Sequence, residues 1–341
     1  MRLPRVSGSV FRWIRIAFAI VALIFLARKI GHAGVLERLA SASPVFIALA
    51  VVVVIIDGMT RAWNWTQLIR AMHIAPRVRY TTVLSIHWGG AFLGQVVPST
   101  VGTDAVRALL AARKIGGHPS AHLASVAMLN LISLTLGCAV ALICAAWLAL
   151  AAPGSELRHV ATVLFLGALS AAAVGYWLLR SQRGLLLWIL RRMHGPLRKL
   201  RRGLRRFMHR MLVFERYDVR VAPVFAIALA TMFTRAATYA LVGLGVGLVL
   251  PLPAWLALVP AYMLSGLIPY SVSGYGGDQA AIVYIVTGFG ASAGAALAFA
   301  LVVPLMSMAY NMLGGLCVWF GRLDGRAHLA GEGGSEKKEV M

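Results

Sequence analysis

The sequence predicts an all-α integral membrane protein, a helical bundle of about six full spans plus two re-entrant helical hairpins, built as inverted repeats. Three observations carry that expectation. Of 341 residues, 60% are hydrophobic and 13% are charged, whereas a soluble domain typically has about 25% charged residues. Apolar runs near the ~20 residues that cross a hydrocarbon core about 30 Å thick recur along the chain. Two further apolar segments are interrupted in their middles by Pro and Gly, one in each half. Hydropathy thus allows eight to ten membrane segments.

The first run, residues 10–27, begins among Arg2, Arg5, Arg12 and Arg15 and ends at Arg28-Lys29. No small-residue cleavage site follows, so it reads as a retained first helix rather than a signal peptide. Further spans are expected at 44–64, 119–152, 159–179, 222–250 and 291–320. Residues 180–220 carry 13 Lys or Arg against Glu215 and Asp218. Basic loops stay cytoplasmic, which places this one inside. Counting outward puts Arg70, Arg77, Arg79, Arg113, Lys114 and both termini inside and the 153–158 turn outside. Arg28, Lys29 and Arg38 run against the pattern. Residues 1–322 form one polytopic domain, and 323–341 a short polar cytoplasmic tail.

Within the basic loop, 196–214 sets Leu197, Leu200, Leu204, Met208 and Met211 on one helical face and arginines around the rest. That is an interfacial helix drawn to anionic lipids of the cytoplasmic leaflet. The net charge of +22 follows the membrane pattern, and no nucleic-acid partner is expected.

The broken segments are 82–112 and 254–290. Their arms of about 15–17 residues reach roughly 22–26 Å, short for a crossing. Charge places both ends of the first inside and both ends of the second outside. Two hairpins entering from opposite sides satisfy this, and four short tilted crossings keep the same parity. Residues 44–152 and 222–320 then form an inverted repeat. Thr60-Arg61-Ala62 and Thr234-Arg235-Ala236 are 174 residues apart, as are Asp104 and Asp278. Transporters with broken helices at the midplane are built in this way.

Irregular backbone at membrane depth is tolerated only beside protein or a polar cavity. Pro98, Gly102, Pro269, Gly274 and Gly277 are therefore expected to line one. Asp104 and Asp278 follow the two breaks at helix starts, where an Asp caps free N–H groups and where a phosphate oxygen also fits. Arg61, Arg107 and Arg235 are the intramembrane cations, and such charges need partners. Asp57, Asp104 and Asp278 are available, and the repeat predicts the pairs Arg61–Asp104 and Arg235–Asp278. These are either structural ion pairs or sites where an anionic headgroup competes for the guanidinium.

The remaining candidates have plainer readings. His87 and His122 are expected to bond neighbouring helices, and Trp63 and Trp65 to anchor at the interface. Cys138, Cys144 and Cys317 lie in apolar spans without CxxC spacing and read as core residues. The segment from Asp57 to Arg61 resembles the start of a CDP-alcohol transferase motif, but the later glycine and paired aspartates are missing. The Ser-Gly pairs at 265–266 and 273–274 have no histidine partner, and no HExxH occurs. No catalytic residue, metal site or cofactor is assigned.

GQVVPSTVGTDAVRALLAARKIGG, Gly94 to Gly117, resembles the G-x-x-x-P-x-x-x-G-x-D-x-x-R block of the lysylphosphatidylglycerol synthase/flippase transmembrane family. IPYSVSGYGGDQAAIVYIVTGFGAS resembles that family's second block, and Arg61 to Trp65 its early Arg/Trp cluster. The resemblance covers roughly 10–322. Thr103 stands where a second glycine is usual, and Asp278-Gln279 where Arg-Glu is common. The aminoacyltransferase domain of the full-length synthases is not in this sequence, so aminoacyl-lipid synthesis is not expected.

The resemblance implies a flippase-like protein of a bacterial inner membrane. It would translocate a phosphate-bearing lipid, whether a phospholipid, a polyprenyl-phosphate-linked lipid or a hopanoid type. Arg61, Arg107 and Arg235 would bind the phosphate, and Asp104 and Asp278 would hold those arginines. An accessory subunit presenting lipid to a separate enzyme is the alternative, and an integral membrane lipid transferase the third reading.

Overall fold

The computed structural model describes residues 37–94, 100–151, 159, 161–163, 165–170, 222–265 and 277–319, and these are helices and turns. The first apolar run, the 180–220 loop with its 196–214 segment, the breaks at 95–99 and 266–276, and the tail lie outside the described residues. Among the described residues, four helices are long and apolar enough to cross a membrane. They are α1 (Pro44–Ala71), α4 (Pro119–Ala151), α5 (Ala222–Gly245) and α8 (Ala293–Trp319). Between α1 and α4 lie the shorter α2 (Tyr80–Gly94) and α3 (Thr100–Ile115); between α5 and α8 lie α6 (Leu252–Ser265) and α7 (Gly277–Gly288).

Helix α1 starts with Pro44 in its first turn, where a proline's missing N–H costs nothing and its fixed φ fits. It runs through Trp63 and Arg70 to Ala71, past the end at 64 expected from hydropathy. No Gly or Pro interrupts 59–71, and these residues turn inward: Ala62, Asn64, Trp65, Thr66, Leu68 and Ile69 are buried. Met72 closes the helix with its N–H on Leu68 O, and Arg70 Nη2 donates to Val78 O at 2.8 Å across the turn into α2. Between α3 and α4 the chain reverses at Gly116 and Gly117, whose φ values of 88° and 82° suit glycine alone without strain.

The outer face of α1 carries Val45, Leu49, Val52, Ile56, Met59 and Trp63, all exposed and spaced three or four apart on one stripe. Water would not tolerate such a stripe, but lipid tails do. Many inward-facing positions are small, with Ala50, Ala62, Ala228, Ala236, Ala296 and Ala300 buried. Small residues let helices approach closely where the hydrophobic effect gives no help.

The packing has an internal regularity. Exchanging α1–α4 for α5–α8 in order maps the substantial helix–helix contacts onto one another. Contact α1·α5 maps onto itself, α2·α8 onto α6·α4, α2·α3 onto α6·α7, α3·α4 onto α7·α8 and α1·α2 onto α5·α6. The α1–α5 seam is therefore the centre of the exchange among the described helices.

Candidate functional site

Asp57 lies midway along α1 and Arg235 just past the middle of α5, so the central seam brings opposite charges together. Arg235 Nε is 3.7 Å from Asp57 Oδ2. Thr234 Oγ1 donates to Asp57 Oδ1 at 2.8 Å. A charge at this depth is costly unless paired and hydrogen-bonded, and Asp57 is both.

Arg61, one turn beyond Asp57 on the same helix, is half-buried. It lies within electrostatic reach of Arg235, Asp57, Arg107 and Tyr310. Among the described residues it makes no ion pair. Arg107 comes in from α3, its side chain lying against Gly90 of α2. Its Nη1 donates to Asp104 Oδ1 at 3.2 Å, while its Nε is buried without a hydrogen-bond partner among the described residues. Asn130 Nδ2 holds the other Asp104 oxygen at 2.7 Å. The four paired side chains keep 13–21% exposure.

Neutral groups complete the surroundings. His87 of α2 is 4% exposed and within reach of all three arginines. Trp88 Nε1 donates to the Tyr310 hydroxyl at 2.6 Å, which leaves the phenol proton free to donate. Tyr310 lies within electrostatic reach of Arg61, Arg107 and Asp57.

The three arginines singled out in the sequence thus converge from three helices. The expected pair Arg61–Asp104 is not formed. Asp104 serves Arg107 and Asn130 rather than Arg61, because the first turn of α3 puts Arg107 three residues on and on the same face. Arg235 is held by Asp57 across the seam. The side chain of Asp278, and residues Pro98, Pro269 and Gly274, lie outside the described residues. Gly102 and Gly277 are placed on the first turns of α3 and α7.

Trp65 is corrected from interfacial anchor to core. It is 1% exposed and donates to Ser125 Oγ at 2.9 Å, whereas Trp63 is 41% exposed and stacks edge-on against Tyr80. His122 bonds the Gly116 carbonyl of its own preceding turn at 2.8 Å rather than another helix. Cys138 and Cys144 are buried and free. Asn130, Trp88 and Tyr310 carried no signal in the sequence, since such neutral side chains are common in apolar spans.

Fold and site together define a helical membrane protein with a charged centre lined by arginines from three helices. The chain belongs to the family described as the lysylphosphatidylglycerol synthase TM region, whose model matches residues 12–315. No curated protein and no solved structure matches the chain significantly. Membership makes it a membrane-embedded, lipid-related protein. Thr103, the departure from the family's usual glycine, donates from Oγ1 to the Gly94 carbonyl at 3.3 Å. It lies so close to Gly94 that a side chain there would collide with it, which ties the start of α3 to the end of α2.

Proposed function

We propose that the protein binds a phosphate-bearing lipid by its headgroup and moves it between the leaflets of a bacterial inner membrane. The observation that supports this is the convergence of Arg61, Arg107 and Arg235 on one site, with Arg61 lacking a carboxylate among the described residues. A guanidinium without an anion at membrane depth is poorly satisfied, and a phosphate oxygen pair matches its planar fork. The buried, unpartnered Nε of Arg107 offers a further donor.

In this reading α2–α3 and α6–α7 are re-entrant hairpins of an inverted repeat. At about 1.5 Å per residue they reach only roughly 18–24 Å, less than the hydrocarbon core. The exchange symmetry of the contacts supports the repeat. Rocking of one repeat against the other about the α1–α5 seam gives alternating access to a fixed midplane site. Pro98, Gly102, Pro269, Gly274, Gly277 and Asp278 complete the lining, and 196–214 anchors the cytoplasmic side to anionic lipid. No catalytic step is assigned to the chain.

Reconstituted liposomes test the reading. Inner-to-outer transfer of a headgroup-labelled phospholipid should be supported by the wild type and fall about tenfold or more in Arg61→Ala, the loss of a charge-assisted contact of roughly 1.5–3 kcal/mol. Undiminished transfer in that variant would remove Arg61 from the mechanism.

A further inference from the structure

We infer that the second half of α8 is a lateral gate, hinged at Pro304 and latched over the charged centre by Tyr310. Proline carries no N–H, so the Ala300 carbonyl loses its usual helical donor, and the ring crowds that carbonyl and favours a kink. Ser307 weakens the same stretch from the next turn. Its Oγ is turned back onto the Val303 carbonyl at 3.3 Å, a bond that bends helices.

The two halves of α8 are held differently. Before the proline, Ala295 to Ala300, Val302 and Val303 are buried, in one apolar core with residues of α5, α6 and α7. Past it, among the described residues, Gly314 alone is buried, while Leu305, Met308, Met312 and Leu316 are exposed. The equivalent helix of the first half differs. A shift of 174 residues carries Pro304 onto Asn130 of α4, and beyond Asn130 that helix stays embedded through Ile132, Cys138, Ala141, Cys144 and Leu148. Of the two, α8 alone has both the proline and the loosely held arm.

Tyr310 fastens that arm. It sits in the notch left by Gly58 of α1, where a Cβ would strike its hydroxyl and ring. Trp88 Nε1 of α2 donates to the same hydroxyl at 2.6 Å, and Gly314 rests against the Trp88 carbonyl. Arg61, Arg107 and Asp57 lie within electrostatic reach of the phenol. Residues 305–316 span about 18 Å, so a further bend of roughly 20° at the proline carries the far end about 6 Å. That swing parts Tyr310 from Gly58 and opens the charged centre sideways to the bilayer, between α8 and α1. The core around the first half of α8 stays as it is.

Spin labels test the gate on the full-length protein in lipid nanodiscs, with no ligand added. In a background with the native cysteines replaced by alanine, labels go on Leu316→Cys in the arm and Leu229→Cys on α5, both at exposed positions. Double electron–electron resonance should give one dominant distance with the latch intact. Tyr310→Ala should add a population displaced by about 5 Å or more. Trp88→Phe, which removes the hydrogen bond but keeps a ring, should add a smaller one. Pro304→Ala placed on either latch variant should abolish it.

An unchanged distribution in both latch variants overturns the gate, and a displaced population that survives Pro304→Ala overturns the hinge. Should Tyr310→Ala not fold, Trp88→Phe with and without Pro304→Ala decides. The gate goes beyond the lipid reading and does not rest on it: the distances are read without ligand, whereas that reading stands or falls on transfer by Arg61→Ala.

Discussion

Tyr310 reaches the arginines from α8 because residue 58 on α1 is a glycine: a Cβ there would run into the Tyr310 hydroxyl and ring. The phenol is pinned from the other side by Trp88 Nε1, so it cannot swing away without losing a hydrogen bond. Gly58→Ala should therefore cost about 1–3 kcal/mol, the usual range for overpacking, read as a lower midpoint of thermal unfolding in detergent. Adding Tyr310→Ala removes the hydroxyl and ring that collide. The double variant should be less destabilised than the sum of the singles, since residues in contact couple; strict additivity would rule out the contact. The three arginines were legible in the sequence because a charge inside an apolar run announces itself. Asp57 was legible only as an available acid, because its partner depends on which faces of α1 and α5 meet. Pairing by repeat failed for Arg61 for the same reason: Asp104 goes to Arg107 and Asn130, and Asp57 reaches across the seam to Arg235.

Helix spacing is fixed by glycines set against larger groups, and here the elements show what sequence alone hid. Gly314 of α8 lies against the Trp88 carbonyl of α2, with Gly315 beside the Phe92 ring. The matching contact in the second half, α6 on α4, has Gly137 against Pro260 and Met263 with ordinary separations. A methyl at 314 would meet backbone, which cannot rotate out of the way, so Gly314→Ala should destabilise by about 2–3 kcal/mol. Gly137→Ala, with van der Waals room of 3.6 Å to its nearest neighbours, should change the unfolding midpoint little. Equal effects at the two positions would mean that the α2–α8 seam is looser than described. The long spans were legible from hydropathy, since α4, α5 and α8 start and stop within a few residues of the expected limits. Helix α1 overran its expected end because bilayer hydropathy does not see polar residues that pack inward, such as Asn64 and Thr66.

At the scale of the molecule, a 174-residue offset between two arginines and two aspartates pointed to the repeat, and the contact pattern carries the same exchange through substantially contacting helix pairs. Charge bias in the loops adds an expected orientation, with the α3–α4 turn in the cytoplasm and the α7–α8 turn on the opposite side. An inverted repeat requires that opposition, because equivalent turns of the two halves must face opposite compartments, whereas a parallel repeat would put them on the same side. His118 in the first turn and Ala293, where the second turn enters α8, are exposed and make suitable reporters. In a background with Cys138, Cys144 and Cys317 replaced by alanine, Ala293→Cys should react with a membrane-impermeant maleimide on intact spheroplasts. His118→Cys should react only after the membrane is permeabilised. Labelling of both from outside, or of neither until permeabilisation, would make the halves parallel. A midplane site approached alternately from each side would then lose its structural basis, and the arginine cluster would have to serve an anion that enters from one face alone.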